Sequence, residues 1–243
     1  MKNLVDYSSS ESDECEKEVK LKDSEKCKRK LPMLLSVSDK KIKNECREDH
    51  QMRIRSIPHV EGNWATHVYV DCPLNEIFLS FLKEHEESSQ DIHSIESTHV
   101  SLSRTFILRY HWIDNFFISL REKLKQSCNP CTIEFSSQIV YYSNEDKTRW
   151  FACILVNESF TPSLKALVSA VDSCLNEFNL PVYYENPSFH ISVFWKLTEF
   201  SDEEKAAISQ KIKNFMEQEH EIFILHIEKI SCKSGNKLIK VSL

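Results

Sequence analysis

Glycine is almost missing. Only Gly62 and Gly235 occur in 243 residues. This excludes the G-x-G-x-x-G and G-x-x-x-x-G-K-S/T loops, in which bare backbone approaches a phosphate. Any grip on phosphate must therefore come from side chains. No apolar run approaches the roughly 20 residues needed to span a bilayer, and the charged N-terminus has no apolar secretory core. The expectation is a soluble, intracellular protein without a membrane partner. Nine cysteines, an odd number, predict reduced thiols in that setting. Cys128-Asn129-Pro130-Cys131 is the one C-x-x-C, and neither a second pair nor suitably spaced histidines complete a zinc set. Two thiols in an Asn-Pro turn are expected there, with no metal and no cofactor. Surplus basic charge is missing as well. From Arg53 onward 19 basic residues face 25 acidic ones, which excludes broad, sequence-blind clamping of a nucleic-acid backbone. A small substrate, or the end of a strand, remains compatible.

What is present divides in two. Residues 1–50 carry 12 basic and 12 acidic side chains, an acidic serine run at Ser8–Glu14, and no pattern that would form a core. Residues 1–52 are expected to be a disordered charged tail. Lys26-Cys27-Lys28-Arg29-Lys30 fits a nuclear import signal, and it fits a solvated charge run equally well.

Residues 53–243 predict a folded domain of two similar halves, about 53–145 and 146–243. In the first, Trp64–Asp71 alternates as a strand, Pro73–Glu87 has helical spacing, and Thr98–Arg104 is a second strand. A helix at His111–Gln126 and a strand at Ile133–Tyr142 follow. The second half repeats this order: strand Trp150–Val156, helix Thr161–Phe178, strand Phe189–Trp195, helix Ser201–Glu219, strand Ile222–Cys232 and a short strand Lys237–Ser242. Thr161-Pro162 and Ser201-Asp202-Glu203-Glu204 read as capped helix starts. The fold class is α+β, a β-α-β-α-β unit used twice.

The middle strand of each unit carries the same tripeptide, His99-Val100-Ser101 and His190-Ile191-Ser192. With 10 His and 31 Ser in the chain, chance supplies about one H-x-S, so either match alone signifies little. Two in matching places signify more. In a strand, positions i and i+2 share a face, so each histidine stands beside its serine while Val100, Leu102, Ile191 and Val193 face the core. Two pseudo-symmetric lobes would bring both pairs across a central cleft onto one ligand.

Imidazole titrates near 6.5 and serves as base or acid around neutrality. Cleavage of RNA through its 2′-hydroxyl needs both: a base at the attacking oxygen and an acid at the leaving 5′-oxygen. Serine hydroxyls beside them can donate to the phosphate oxygens where charge builds. A nucleophilic serine would need a third orienting group and has no use for a duplicate. Two histidines alone are too few for zinc.

These tripeptides match the H-x-S/T signature of the 2H phosphoesterases, which the chain resembles over about residues 53–243. Gly62–Val70, His99–Ser103, His111-Trp112, Tyr184–Ser192 and Cys232–Lys237 carry a narrower resemblance, to the branch that trims U6 small nuclear RNA. The resemblance implies a bilobal fold whose antiparallel sheets face a cleft, and a nuclear, monomeric 3′-to-5′ exoribonuclease. Its partner would be a uridine-rich single-stranded RNA 3′ end, left with a 2′,3′-cyclic phosphate or a 3′-phosphate. It also implies His99 and His190 as general acid and base, Ser101 and Ser192 as phosphate ligands, and Tyr184 stacked on the terminal base. The symmetry of the halves leaves open which histidine is which. Tyr183, Phe189 and Trp195 are expected in the core. Lys233 and Lys237, flanking Gly235, suit either phosphate or plain solvation, and His67 and His111 are expected only to pack. Other 2H activities, on cyclic phosphates or 2′-5′ linkages, fit the same residues, as does a non-catalytic RNA-end-binding module.

Overall fold

The computed structural model describes residues 60–89 and 91–243; the expected tail and its basic cluster lie outside the described residues. The first half contains β1 (Asn63–Cys72), α1 (Glu76–Glu87), β2 (His93–Ser94), β3 (Thr98–Ser101), β4 (Phe106–Arg109), α2 (Ile113–Ser127) and β5 (Cys131–Ser143). The second contains β6 (Trp150–Val156), α3 (Thr161–Glu177), β7 (His190–Lys196), α4 (Asp202–Gln218), β8 (Ile224–Ile227), β9 (Lys229–Ser234) and β10 (Lys237–Ser242). Helices and antiparallel sheets bear out the α+β expectation.

Period-two alternation sets the faces. Strand β1 buries Thr66, Val68, Val70 and Cys72 and turns His67, Tyr69 and Asp71 to the opposite side. Its length lets it hold two partners end to end along one edge: β3 pairs with its second half and β4 with its first. β9 takes the other edge, and β10 pairs with β9. The second sheet runs β2-β7-β6-β5-β8. α2 and α3 lie together, with α2 against β10. α1 and α4 meet through Phe78, Phe81 and Phe215, and His85 of α1 reaches Phe194 of β7.

The sheets do not follow the halves of the chain. β9 and β10 complete the first sheet, while β2 and β5 belong to the second. The expected division at 145/146 is therefore not the division between sheets. The expected single strand Ile222–Cys232 is two strands in two sheets, β8 paired with β5 and β9 with β1. The charged pair Glu228-Lys229 marks the crossing, where the expected strand runs straight through. β2 and β4 are too short to register as patterns and exist because longer neighbours offer them hydrogen bonds.

Among the helix starts, Ser201 and Glu204 form the full capping box. Thr161 does not cap: it sits inside α3, whose N-cap is Phe160 without a side-chain bond. Cys128 closes α2 through its N–H to the Leu124 carbonyl, and Cys131 opens β5. The C-x-x-C thus spans the α2–β5 connection without forming the expected turn at residues 128–130, and both thiols are free. Gly235 turns the β9–β10 hairpin at φ +57°, and a Cβ there would lie 2.1 Å from the ring of Trp64. The close approach to Trp64 leaves no room for a side chain, and the left-handed φ favours glycine as well. No helix among the described residues is long and apolar enough to cross a membrane.

Candidate active site

β3 and β7 lie against each other. Val100, Leu102, Ile191 and Val193 are all buried, as alternation requires. His99 and Ser101 of one strand and His190 and Ser192 of the other therefore share one cavity of about 530 Å³. It is lined also by His67, Arg104, Arg149, Tyr183 and Tyr184 and, among the described residues, by no carboxylate. The domain carries excess acid, yet this cavity is built for an anion.

Each motif ring is held by backbone two residues before it. His190 Nδ1 donates to the Ser188 carbonyl at 2.8 Å, and His99 is bonded to the backbone of Ser97. In neutral His190 this places the unprotonated lone pair on Nε2. Burial lowers the pKa of both from 6.5. For His99 the charge of His190 adds to burial, and Asp71, its cross-strand partner on β1, opposes them. For His190 only the bond to Ser188 opposes burial. Asp71 keeps its own charge: Ser231 donates to it at 2.6 Å and Lys240 pairs with it at 2.8 Å.

The two serines differ in what stands behind them. Ser101 Oγ meets His67 Nε2 at 3.1 Å, and Ser192 Oγ meets the Cys153 thiol at 3.3 Å. His67 corrects the expectation of a packing role. Its ring stacks on Tyr69 at 5.0 Å and meets the edge of His99 at 5.1 Å. Burial, helped by the charge of His99, drives it down to about 3, so it is neutral at any working pH. In the tautomer with its proton on Nε2, neutral His67 donates to Ser101 and leaves the serine proton for a ligand; in the other tautomer it accepts from Ser101. The signal was present in the sequence: His67 falls on the same alternating face of β1 as Tyr69 and Asp71.

Tyr184 stands exposed at the cavity wall. The Arg104 guanidinium lies 4.0 Å over its ring, and its hydroxyl donates to Glu145 at 3.2 Å. Arg104 belongs to the first sheet's β3–β4 turn and was not singled out in the sequence. Tyr183, Phe189 and Trp195 are buried as expected, and His111 packs edge-on against Trp112. Lys237 points away from the cavity to Asp114 and the Tyr110 ring, which removes it as a phosphate ligand there. No group of three or more His, Cys, Asp or Glu among the described residues is placed to hold a metal.

Comparison with known proteins places the chain in a family. A family model, HVSL, described as an uncharacterised conserved protein, matches residues 10–242; its four letters read His99-Val100-Ser101-Leu102 in this chain. "U6 snRNA phosphodiesterase 1" of Xenopus laevis is 35% identical, over 99% of this chain and 99% of that protein. The Homo sapiens protein of the same name is 33% identical over 80% of this chain and 75% of its own length. Among solved structures, Kluyveromyces marxianus Usb1 covers 74% of this chain and 98% of its own with a TM-score of 0.53 at 14% identity. The same protein with uridine monophosphate gives 0.52 at 13% identity and the same coverage. At such identity these two establish likeness of fold.

Proposed function

The chain belongs to the HVSL family and to the U6 snRNA phosphodiesterase 1 proteins, and from that premise we propose that it shortens the 3′ end of U6 small nuclear RNA by phosphodiester cleavage. One observation carries the reading: two His-x-Ser pairs from different sheets open into one cavity without a carboxylate. We read the two sheets as the pseudo-symmetric lobes of a 2H fold, acting as a monomer in the nucleus.

The surroundings of the histidines distinguish their roles. Backbone bonds hold both rings alike, and Asp71, the cross-strand partner of His99 alone, favours a proton on His99. His190 is therefore the base that takes the 2′-hydroxyl proton of the penultimate nucleotide. That oxygen attacks the adjacent phosphorus, the P–O5′ bond breaks, and His99 protonates the departing 5′-oxygen. Ser101 and Ser192 donate to the non-bridging oxygens as charge accumulates. The terminal base stacks on Tyr184, the usual grip on single-stranded RNA. The shortened RNA ends in a 2′,3′-cyclic phosphate, or in a 3′-phosphate once the ring is opened.

A 2′-deoxy sugar at the penultimate position of an oligouridine tests this. Binding should persist and the first cut should stop, because the nucleophile is gone. Efficient trimming of that substrate would mean that water attacks and would overturn the two-histidine mechanism. Activity should also survive excess chelator; loss with EDTA and rescue by a divalent cation would contradict the assigned roles.

A further inference from the structure

The first sheet extends beyond the cavity. Cross-strand partners share a face, so the register carries the face of His99 and His67 outward strand by strand. Lys233 of β9 stands opposite His67, and Leu238 of β10 opposite Lys233. One step along the strands, Ser231 stands opposite Tyr69 and Lys240 opposite Ser231; Lys229 follows two residues before Ser231. Three contacts confirm that these positions are on one face: His67 stacks on Tyr69, Ser231 donates to Asp71, and Lys240 pairs with Asp71. Lys229, Lys233 and Lys240 are exposed, and half of Leu238 is open to solvent. Asp71 is the one carboxylate among the outward positions of β1, β9 and β10, and Lys240 and Ser231 already hold it.

In a domain with more acid than base, a lysine-bearing sheet face continuous with an anion-binding cavity is a local reversal of sign. We propose that β9 and β10 form a track for the single-stranded RNA upstream of the cut, with Lys233 and Lys229 meeting its phosphates. Tyr69 sits where the track leaves the cavity. From β1 to β10 is about 10 Å at the usual strand spacing, so the track lies within immediate reach of the strand as it emerges. Charge complementarity and continuity with the cleft favour an RNA occupant over a protein one. The proposal rests on the phosphodiesterase reading and adds to it a reason why longer RNA should be preferred to a dinucleotide.

The test compares the dinucleotide UpU with a long oligouridine, using the whole protein and a Lys229→Gln/Lys233→Gln double variant. Both lysines are exposed, and unchanged circular dichroism checks the fold. On UpU the variant should match wild type within about twofold. On the oligouridine its KM should rise about tenfold, and the slope of log binding constant against log salt should shrink by about 1.4, roughly 0.7 per lost phosphate contact. An oligouridine bound as tightly by the variant as by wild type would overturn the track. So would an equal loss on both substrates, or a wild type that gains nothing from RNA length. Wild-type protein that cuts neither substrate would instead overturn the phosphodiesterase reading, and the track with it.

Discussion

Ser101 and Ser192 occupy matching places with different neighbours. A neutral imidazole backs the first and a buried thiol the second. His67→Gln keeps a donor at the same reach and should retain activity within about threefold. His67→Leu should lose about tenfold in kcat with little change in KM, a fraction of the 10²–10³ that removing a direct donor costs. In a Ser101→Ala background the Leu change should add nothing, since its partner is gone; a full additional loss would show that His67 acts elsewhere. Tyr184→Ala should raise KM about tenfold while Tyr184→Phe stays near wild type, because stacking contributes about 1–3 kcal/mol per base and the hydroxyl only meets Glu145. The rate constant kcat/KM should trace a bell, with one imidazole needed neutral and the other charged. Its two apparent pKa values belong to the pair and should centre below 6.5, because burial lowers both rings in the free protein. A monotonic profile would rule out paired acid–base work. At this scale the motif residues were legible because alternation dictates which side chains stand together. The face of His67 followed from the same alternation, but its partner and that of Arg104 did not, since they stand 34 and 80 positions away in the chain.

Among elements, the junction of β7 with α4 carries the heaviest electrostatic load. Lys196 ends β7 buried at 4% exposure, with Asp91 at 3.1 Å and Glu204 at 2.7 Å. Glu204 also completes the Ser201 capping box, so one carboxylate fastens both the helix start and the strand end. Removing one member of a buried pair typically costs about 3–5 kcal/mol. Asp91 is largely exposed, so Lys196→Ala should fall at the lower end of that range, read as a shift in urea midpoint at constant slope. A shift no larger than that of an exposed lysine would show the pair to be incidental. The helices were legible from period and caps, and Ser201 announced its own. The β8–β9 crossing was not, because a charged pair such as Glu228-Lys229 fits the open positions of one strand as well as a change of sheet. Sheet membership is decided by hydrogen-bond partners, which local pattern does not encode.

For the whole molecule, acid should be the vulnerable side. Burial pushes the pKa values of His67, His99 and His190 below their unfolded 6.5. The unfolded chain therefore binds more protons, and stability rises with pH. It should be complete above about 6.5 and decline as pH falls from there toward 3, the value to which His67 is driven. Thermal melts across that window should show Tm falling with acid, less steeply for His67→Gln; a Tm independent of pH there would contradict the burial of these rings. The pairing of β1 with β9 has a further consequence, in time. Thr66 and Ser234 bond across 168 positions of chain, so β1 waits for a strand made long after it. Contacts of such separation close slowly, and until they close the edge of β1 that β9 will occupy is an open ladder for any passing strand. A ribosome that stalls before β9 releases a chain that already holds all four motif residues on an unfinished sheet. Such a chain is a substrate for chaperones and proteases before it is a nuclease, and competence to cut RNA arrives only with the closing hairpin.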